Sequence, residues 1–146
     1  MKIEKKLDSG PFIKQVKTNS KRKQIVIYGA GGIGLSVIEA AKAVSAWPII
    51  AIDIFDNRLN LAREIGATHI INGKSGDVEN KINSILKNKP LNVFIDNTGS
   101  TRIIERGYDL VNNFGRVVLV GVPKKGENIS ISVSYTHLTL PTNREV

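Results

Sequence analysis

The stretch Gln24-Ile-Val-Ile-Tyr-Gly-Ala-Gly-Gly-Ile-Gly34 leaves room for very few folds. An apolar strand breaks on Gly29, glycines recur at 31 and 34, and residues of helical spacing follow, so a G-x-G-x-x-G turn joins strand to helix. Gly29 permits the sharp change of direction, Gly31 puts no side chain in the way of an approaching anion, and Gly34 lets the helix pack closely on the strand. A diphosphate at this turn meets unpaired amides and the positive end of a helix dipole.

Three glycines in six residues also occur at ordinary tight turns, so the context decides. The next apolar run, Pro48-Ile-Ile-Ala-Ile-Asp53, ends on an acid 19 positions after Gly34, close to the distance at which a carboxylate reaches adenosine ribose hydroxyls. Strand before, helix after and acid at this distance together point to dinucleotide binding.

Strand-like and helix-like segments alternate from Gln24 onward, the pattern of a doubly wound α/β parallel sheet of the Rossmann type, truncated after about five strands. Helix A is expected from Gly32 to about Ser45, with Ile33, Val37, Ala41 and Val44 inward. The second strand covers 49 to 53. Helix B starts behind Asp56 as N-cap, buries Leu59, Ala62 and Ile65, and stops at Gly66. A short strand opens at His69. Helix C begins near Asp77, with Val78, Ile82, Ile85 and Leu86 on one face, and ends before Pro90. Strand four is Asn92 to Asp96. Helix D, capped by Ser100 or Thr101, buries Ile104, Tyr108 and Val111 and ends at Gly115. Strand five, Arg116 to Gly121, reads as covered on both faces. The implied spatial order is 3-2-1-4-5. Ile129 to Val133 alternates like an edge strand, and the remainder to Val146 matches neither period.

The 146 residues suit one domain that buries about two thirds of its unfolded surface. No apolar run approaches bilayer length and no apolar stretch follows the lysine-rich start, so the expectation is a cytoplasmic protein with no membrane partner. The net charge of +8 is concentrated in residues 1 to 24, which carry +6. A basic arm with Phe12 as its single aromatic reads as a solvated terminus and not as a nucleic-acid tail. The division is therefore a basic arm at 1–23, a nucleotide-binding domain at 24–131 and an unplaced tail at 132–146. Cysteine is absent, which removes disulfides, a thiol nucleophile and thiolate-bound zinc from this chain.

Several spaced motifs together resemble the nucleotide-binding domain of the medium-chain dehydrogenase/reductase family, the zinc-type alcohol and polyol dehydrogenases. They are the glycine turn, Ala51-Ile-Asp53, Arg58-Leu-Asn-Leu-Ala-Arg-Glu-Ile-Gly-Ala-Thr-His69, Asp96-Asn-Thr-Gly99 and Gly115-Arg-Val-Val-Leu-Val-Gly-Val-Pro123. The resemblance implies that the amides around Gly32 and Ile33 hold the pyrophosphate, that Asp53 takes the ribose diol, that Arg58 lies near the adenosine, and that Thr98 and Val120, Gly121 and Val122 border the nicotinamide. Asp53 repels a 2′-phosphate and no basic residue stands directly behind it, which favours NAD over NADP.

The resemblance also implies a small-molecule alcohol substrate and a zinc Lewis acid in the intact enzyme, but this chain contains neither catalytic residues nor metal ligands of that kind. Family members place a catalytic domain ahead of the glycine turn, and relatives continue past strand five. The chain is thus expected to be a fragment, with 132–146 resembling translated foreign sequence. A homo-oligomer of the intact enzyme stays open.

Other chemistries fit less well. His69 and His137 lack ligand-spaced partners, no Tyr-x-x-x-Lys pair occurs, and Leu35-Ser36 follows Gly34 where an ATP-binding loop needs Lys-Ser/Thr. A methyltransferase usually has a carboxylate where Tyr28 stands. An NAD-sensing module without catalysis is the remaining alternative.

Overall fold

The computed structural model describes residues 22–132. The basic arm up to residue 21 and the tail from residue 133, including His137, lie outside the described residues. Strands and helices alternate: β1 (Ile25–Tyr28), α1 (Gly32–Ala43), β2 (Ile49–Asp53), α2 (Asp56–Ile65), β3 (His69–Asn72), a single 3-10 turn (Gly73–Ser75), α3 (Val78–Leu86), β4 (Leu91–Asp96), α4 (Thr101–Leu110) and β5 (Val111–Leu119). All strand pairs are parallel and the order is β3-β2-β1-β4-β5, as the sequence implied.

Each central strand feeds two cores because successive side chains leave a strand on opposite faces. Ile25, Ile27, Ile49 and Ala51 pack with Ile38 and Ala41 of α1 and Ala62 of α2. On the other face Val26, Ile50, Ile52 and Phe94 pack with Val78, Ile82 and Leu86 of α3. Among the described residues no helix is long and apolar enough to cross a membrane.

The structure departs from the expected elements at four places. α1 buries Gly34, Ile38 and Ala41, whereas Ile33 is 63% and Val44 72% exposed. The rotation is set at Gly34: a Cβ there would run into the Gly29 carbonyl oxygen, so this position faces the strand and Ile33 turns toward the mouth of the sheet. α1 also stops at Ala43, because Ser45 adopts a left-handed φ of 59°.

Asp56 is the first residue of α2, with Phe55 in the cap position. Its carboxylate is engaged elsewhere, accepting a 2.7 Å bond from Asn72 Nδ2.

α4 ends at Leu110, five residues before Gly115, and Tyr108 is exposed. Ile104 and Gly107 face the sheet because a Cβ at Gly107 would enter the Phe94 ring, which brings the helix close at that point. β5 then starts at Val111, opposite Leu91, and Gly115 lies inside it, next to a register irregularity between Leu91 and Val93. As the outer strand among the described residues it leaves Val118 and Leu119 exposed, so the expected cover on both faces is not met there. Finally, residues 129–132 form no strand, and the Ser130 amide donates to Glu105 Oε1 on α4 at 2.7 Å in place of a ladder bond.

Gly107→Ala forces a methyl group against a core aromatic ring, and is expected to cost about 1–3 kcal/mol. Urea denaturation of the two proteins checks this; an unchanged midpoint would mean that α4 does not approach β4 as closely as described.

Candidate functional site

β1 is flanked by β2, which leads to β3, and by β4, which leads to β5, so the chain reverses its direction of travel across the sheet at β1. In open α/β sheets such a point opens a crevice beyond the carboxyl ends of the strands. The glycine turn lies there. Gly29 has a φ of +96°, which a residue with a side chain rarely adopts. Its amide donates to the Ile52 carbonyl at 2.7 Å, and its carbonyl accepts from Asn97 Nδ2 at 3.0 Å, so the turn is tied to both neighbouring strands. Gly34 sits against it without room for a Cβ. Gly31 and Gly32 differ: a Cβ at either would meet nothing within 4 Å. Here the backbone faces open space, and no side chain caps the first amides of α1.

Asp53 closes the second side. It is only 5% exposed, and both carboxylate oxygens accept main-chain bonds, Oδ2 from Ala30 N at 2.8 Å and Oδ1 from Phe55 N at 3.0 Å. Arg58 Nη1 stands 3.7 Å from Oδ2. The acid at the end of β2 is therefore part of the glycine turn's own support, with a half-exposed guanidinium beside it.

The third side comes from β4. Asp96 is fully buried and its carboxylate accepts from Thr98 N at 3.1 Å, Thr98 Oγ1 at 2.6 Å and Gly99 N at 2.8 Å. Its carbonyl accepts from the Val120 and Gly121 amides at 2.8 and 2.9 Å. Gly99 (φ +73°) and Gly121 approach so closely that a Cβ on either would strike main-chain atoms of the other's segment, including the Val122 carbonyl. One buried carboxylate thus organises Thr98 and the end of the fifth strand together.

These three sides enclose a cleft of about 520 Å³. Its walls include Gly29, Gly31, Gly32, Ile33, Gly34, Asp53, Arg58 and Thr98, so eight positions singled out from the sequence converge. Val120, Gly121 and Val122 are not among those walls; they pack behind residues 97–99. Tyr28, Ile54, Phe55, Asn97 and Ile103 line the cleft without having been selected from the sequence. Tyr28, Ile54 and Asn97 are immediate neighbours of selected positions and Phe55 lies two residues past Asp53, which is the signal that could have found them; Ile103 carries no such signal. Burial, reinforced by the charge of Asp53 and opposed by that of Arg106, raises the Tyr28 hydroxyl above its ordinary pKa, so this wall is a neutral phenol at neutral pH. His69 pairs its Nδ1 with the Thr68 hydroxyl at 2.9 Å, away from the cleft walls.

The parallel sheet, the reversed strand order and the bare glycine backbone define a nucleotide-binding α/β domain. The family model for zinc-binding dehydrogenases matches residues 32–144, and the chain belongs to that family. The matched span runs on through most of the tail that was set apart from the family on sequence grounds. The D-xylulose reductase of Scheffersomyces stipitis is 41% identical over 98 residues, covering 66% of this chain and 27% of the relative. Among solved structures, benzyl alcohol dehydrogenase from Acinetobacter calcoaceticus superposes with a TM-score of 0.72 at 37% identity, over 80% of this chain and 32% of that one. A zinc-binding dehydrogenase from Sinorhizobium meliloti bound to NADP gives a TM-score of 0.69 at 27% identity, over 77% of this chain and 34% of that one. The chain spans between 27% and 33% of the length of the first curated relatives it matches.

Two glycine substitutions separate the binding role of the turn from its folding role. Gly31 has an ordinary φ of −73° and open surroundings, so Gly31→Ala is expected to fold with unchanged or slightly higher stability and to lose affinity for a dinucleotide. Gly34→Ala is expected to lose about 2 kcal/mol or more of stability. Thermal melts combined with cofactor titration check the pair; equal binding by Gly31→Ala and the parent would show that no ligand approaches this backbone.

Proposed function

We propose that this chain is the cofactor-binding part of an NAD-dependent alcohol or polyol dehydrogenase. The observation that carries the reading is the bare backbone at Gly31 and Gly32, opening into a cleft with a buried acid at one side and Thr98 at the other. The names of the similar proteins, D-xylulose reductase and benzyl alcohol dehydrogenase, support an alcohol or polyol as the substrate class.

The groups present fit a dinucleotide. The first amides of α1 take the pyrophosphate, which needs close approach to the main chain. Asp53 accepts from the ribose hydroxyls with lone pairs left over from its two main-chain bonds, an interaction of about 1.5–3 kcal/mol for a charged acceptor. Ile54, Phe55 and Ile103 give the adenine an apolar wall, and Arg58 stands at its edge. Thr98, held by Asp96, borders the nicotinamide, and the Val120-Gly121-Val122 backbone supports that border from behind residues 97–99. When bound, NAD supplies the hydride acceptor at nicotinamide C4. What the chain does is position that group and shield one side of it.

Zinc is a different matter. Among the described residues no three His, Asp or Glu side chains come together as a metal site, so the metal finds no fit here and no step is assigned to it. In our reading, groups outside this chain polarise the alcohol. The 146-residue chain is accordingly expected to bind NADH without oxidising alcohols; measurable turnover by the purified chain would contradict this division of labour.

Because Asp53 both supports the turn and meets the ribose, the informative substitution is the isosteric one. Asp53→Asn keeps an acceptor for a main-chain amide and removes the charge, so NADH affinity is expected to fall about tenfold, with NADPH affected less. Calorimetric titration with NADH, NADPH and S-adenosylmethionine reads this directly. Saturable binding of S-adenosylmethionine without NADH binding would overturn the dehydrogenase reading, and an unchanged NADH affinity in Asp53→Asn would remove the ribose role.

A further inference from the structure

The parallel register of β2 and β3 sets Asn72 beside Asp53, so Lys74, two residues past Asn72, comes level with Phe55, two residues past Asp53. The loop holding Lys74 is fixed at both ends of a short bridge. Asn72 Oδ1 accepts the Lys74 amide at 2.9 Å, and Asn72 Nδ2 donates to Asp56 Oδ1 on the first turn of α2 at 2.7 Å. The result is a pair of cations around one ring: Arg58 Cζ lies 4.8 Å and Lys74 Nζ 5.8 Å from the Phe55 ring centroid. Phe55 is 45% exposed and lines the cleft next to Asp53.

Among the described residues Lys74 has no carboxylate within ion-pair distance. Asp53, by contrast, spends part of its charge on the Ala30 and Phe55 amides and on Arg58. The lip where the adenosine ribose would project therefore offers two cations and a carboxylate already hydrogen-bonded from within, a poorer barrier to a further anion than a free acid.

Resting on the cofactor reading above, we propose that Lys74 is a specificity-determining residue which, with Arg58, gives the sugar end of the cleft affinity for a 2′-phosphate and so admits NADP(H) alongside NAD(H). Asp53 favours the unphosphorylated ribose, and Lys74 narrows the margin. The contact is solvent-facing, so its strength falls with salt.

The test is titration of the full chain, and of Lys74→Ala and Lys74→Arg, with NADH and with NADPH at low and at high ionic strength. Removing one exposed cation is expected to weaken NADPH about fivefold at low salt. NADH affinity is expected to stay within about twofold, since it has no phosphate at this position, and Lys74→Arg to restore NADPH binding. The NADPH deficit of Lys74→Ala shrinks at high salt. An NADPH affinity that Lys74→Ala leaves unchanged, or a loss equal for both nucleotides, overturns the role of Lys74 while leaving the cofactor reading in place. A parent chain that binds neither nucleotide overturns both.

Discussion

The bond on which the rest of the site depends runs from the Ala30 amide to the buried Asp53 carboxylate, 2.8 Å across the crevice between β1 and β2. A glycine turn is flexible by nature, and Gly29 in particular is held in a conformation that the unfolded chain visits only as one of many. The Asp53 bond, the Ile52 carbonyl on one side and the Asn97 amide on the other restrict that freedom before any ligand arrives. Binding then costs less ordering, which is the physical meaning of a preformed site. Leaving Asp53 without these donors would bury a charge with no compensation, so the acid and the turn stabilise each other.

A second buried acid does the same at the opposite wall. Asp96 accepts three bonds from residues 98 and 99 and holds the 120–121 backbone through its carbonyl. Both acids lie at the carboxyl ends of strands adjacent to β1, and in both the carboxylate satisfies the amides of the loop that follows its strand. The cleft is thus bounded by two carboxylate-organised loops with a stretch of bare main chain between them. That arrangement explains how a sheet built from aliphatic residues presents a polar binding edge without leaving amides unpaired in its core.

Much of this was legible in the sequence because each part has a local cause. The glycine spacing, the acid after β2 and the alternation of apolar runs are short-range signals, and they gave the strand order and the convergence of Gly29 to Gly34, Asp53, Arg58 and Thr98. What escaped depends on contacts between distant segments. The rotation of α1 is fixed by the clash that Gly34 avoids, not by the apolar count that put Ile33 and Val44 inside. The end of α4 is fixed by Gly107 against Phe94 and by the pairing of Val111 with Leu91. Lys74 becomes a neighbour of Phe55 only once β3 is in register with β2. No periodicity within one segment carries that information.

The decisive measurement is a residue-resolved amide NMR titration of the chain with NADH. Binding at the glycine turn shifts the Gly31, Gly32, Ile33 and Gly34 amides first and the amides of Ala30 and Phe55, which bond Asp53, along with them. Amides between Gly29 and Asp53 that do not move, or shifts gathered instead around Phe114 and Arg116 at the other end of the sheet, would contradict nucleotide binding at this turn.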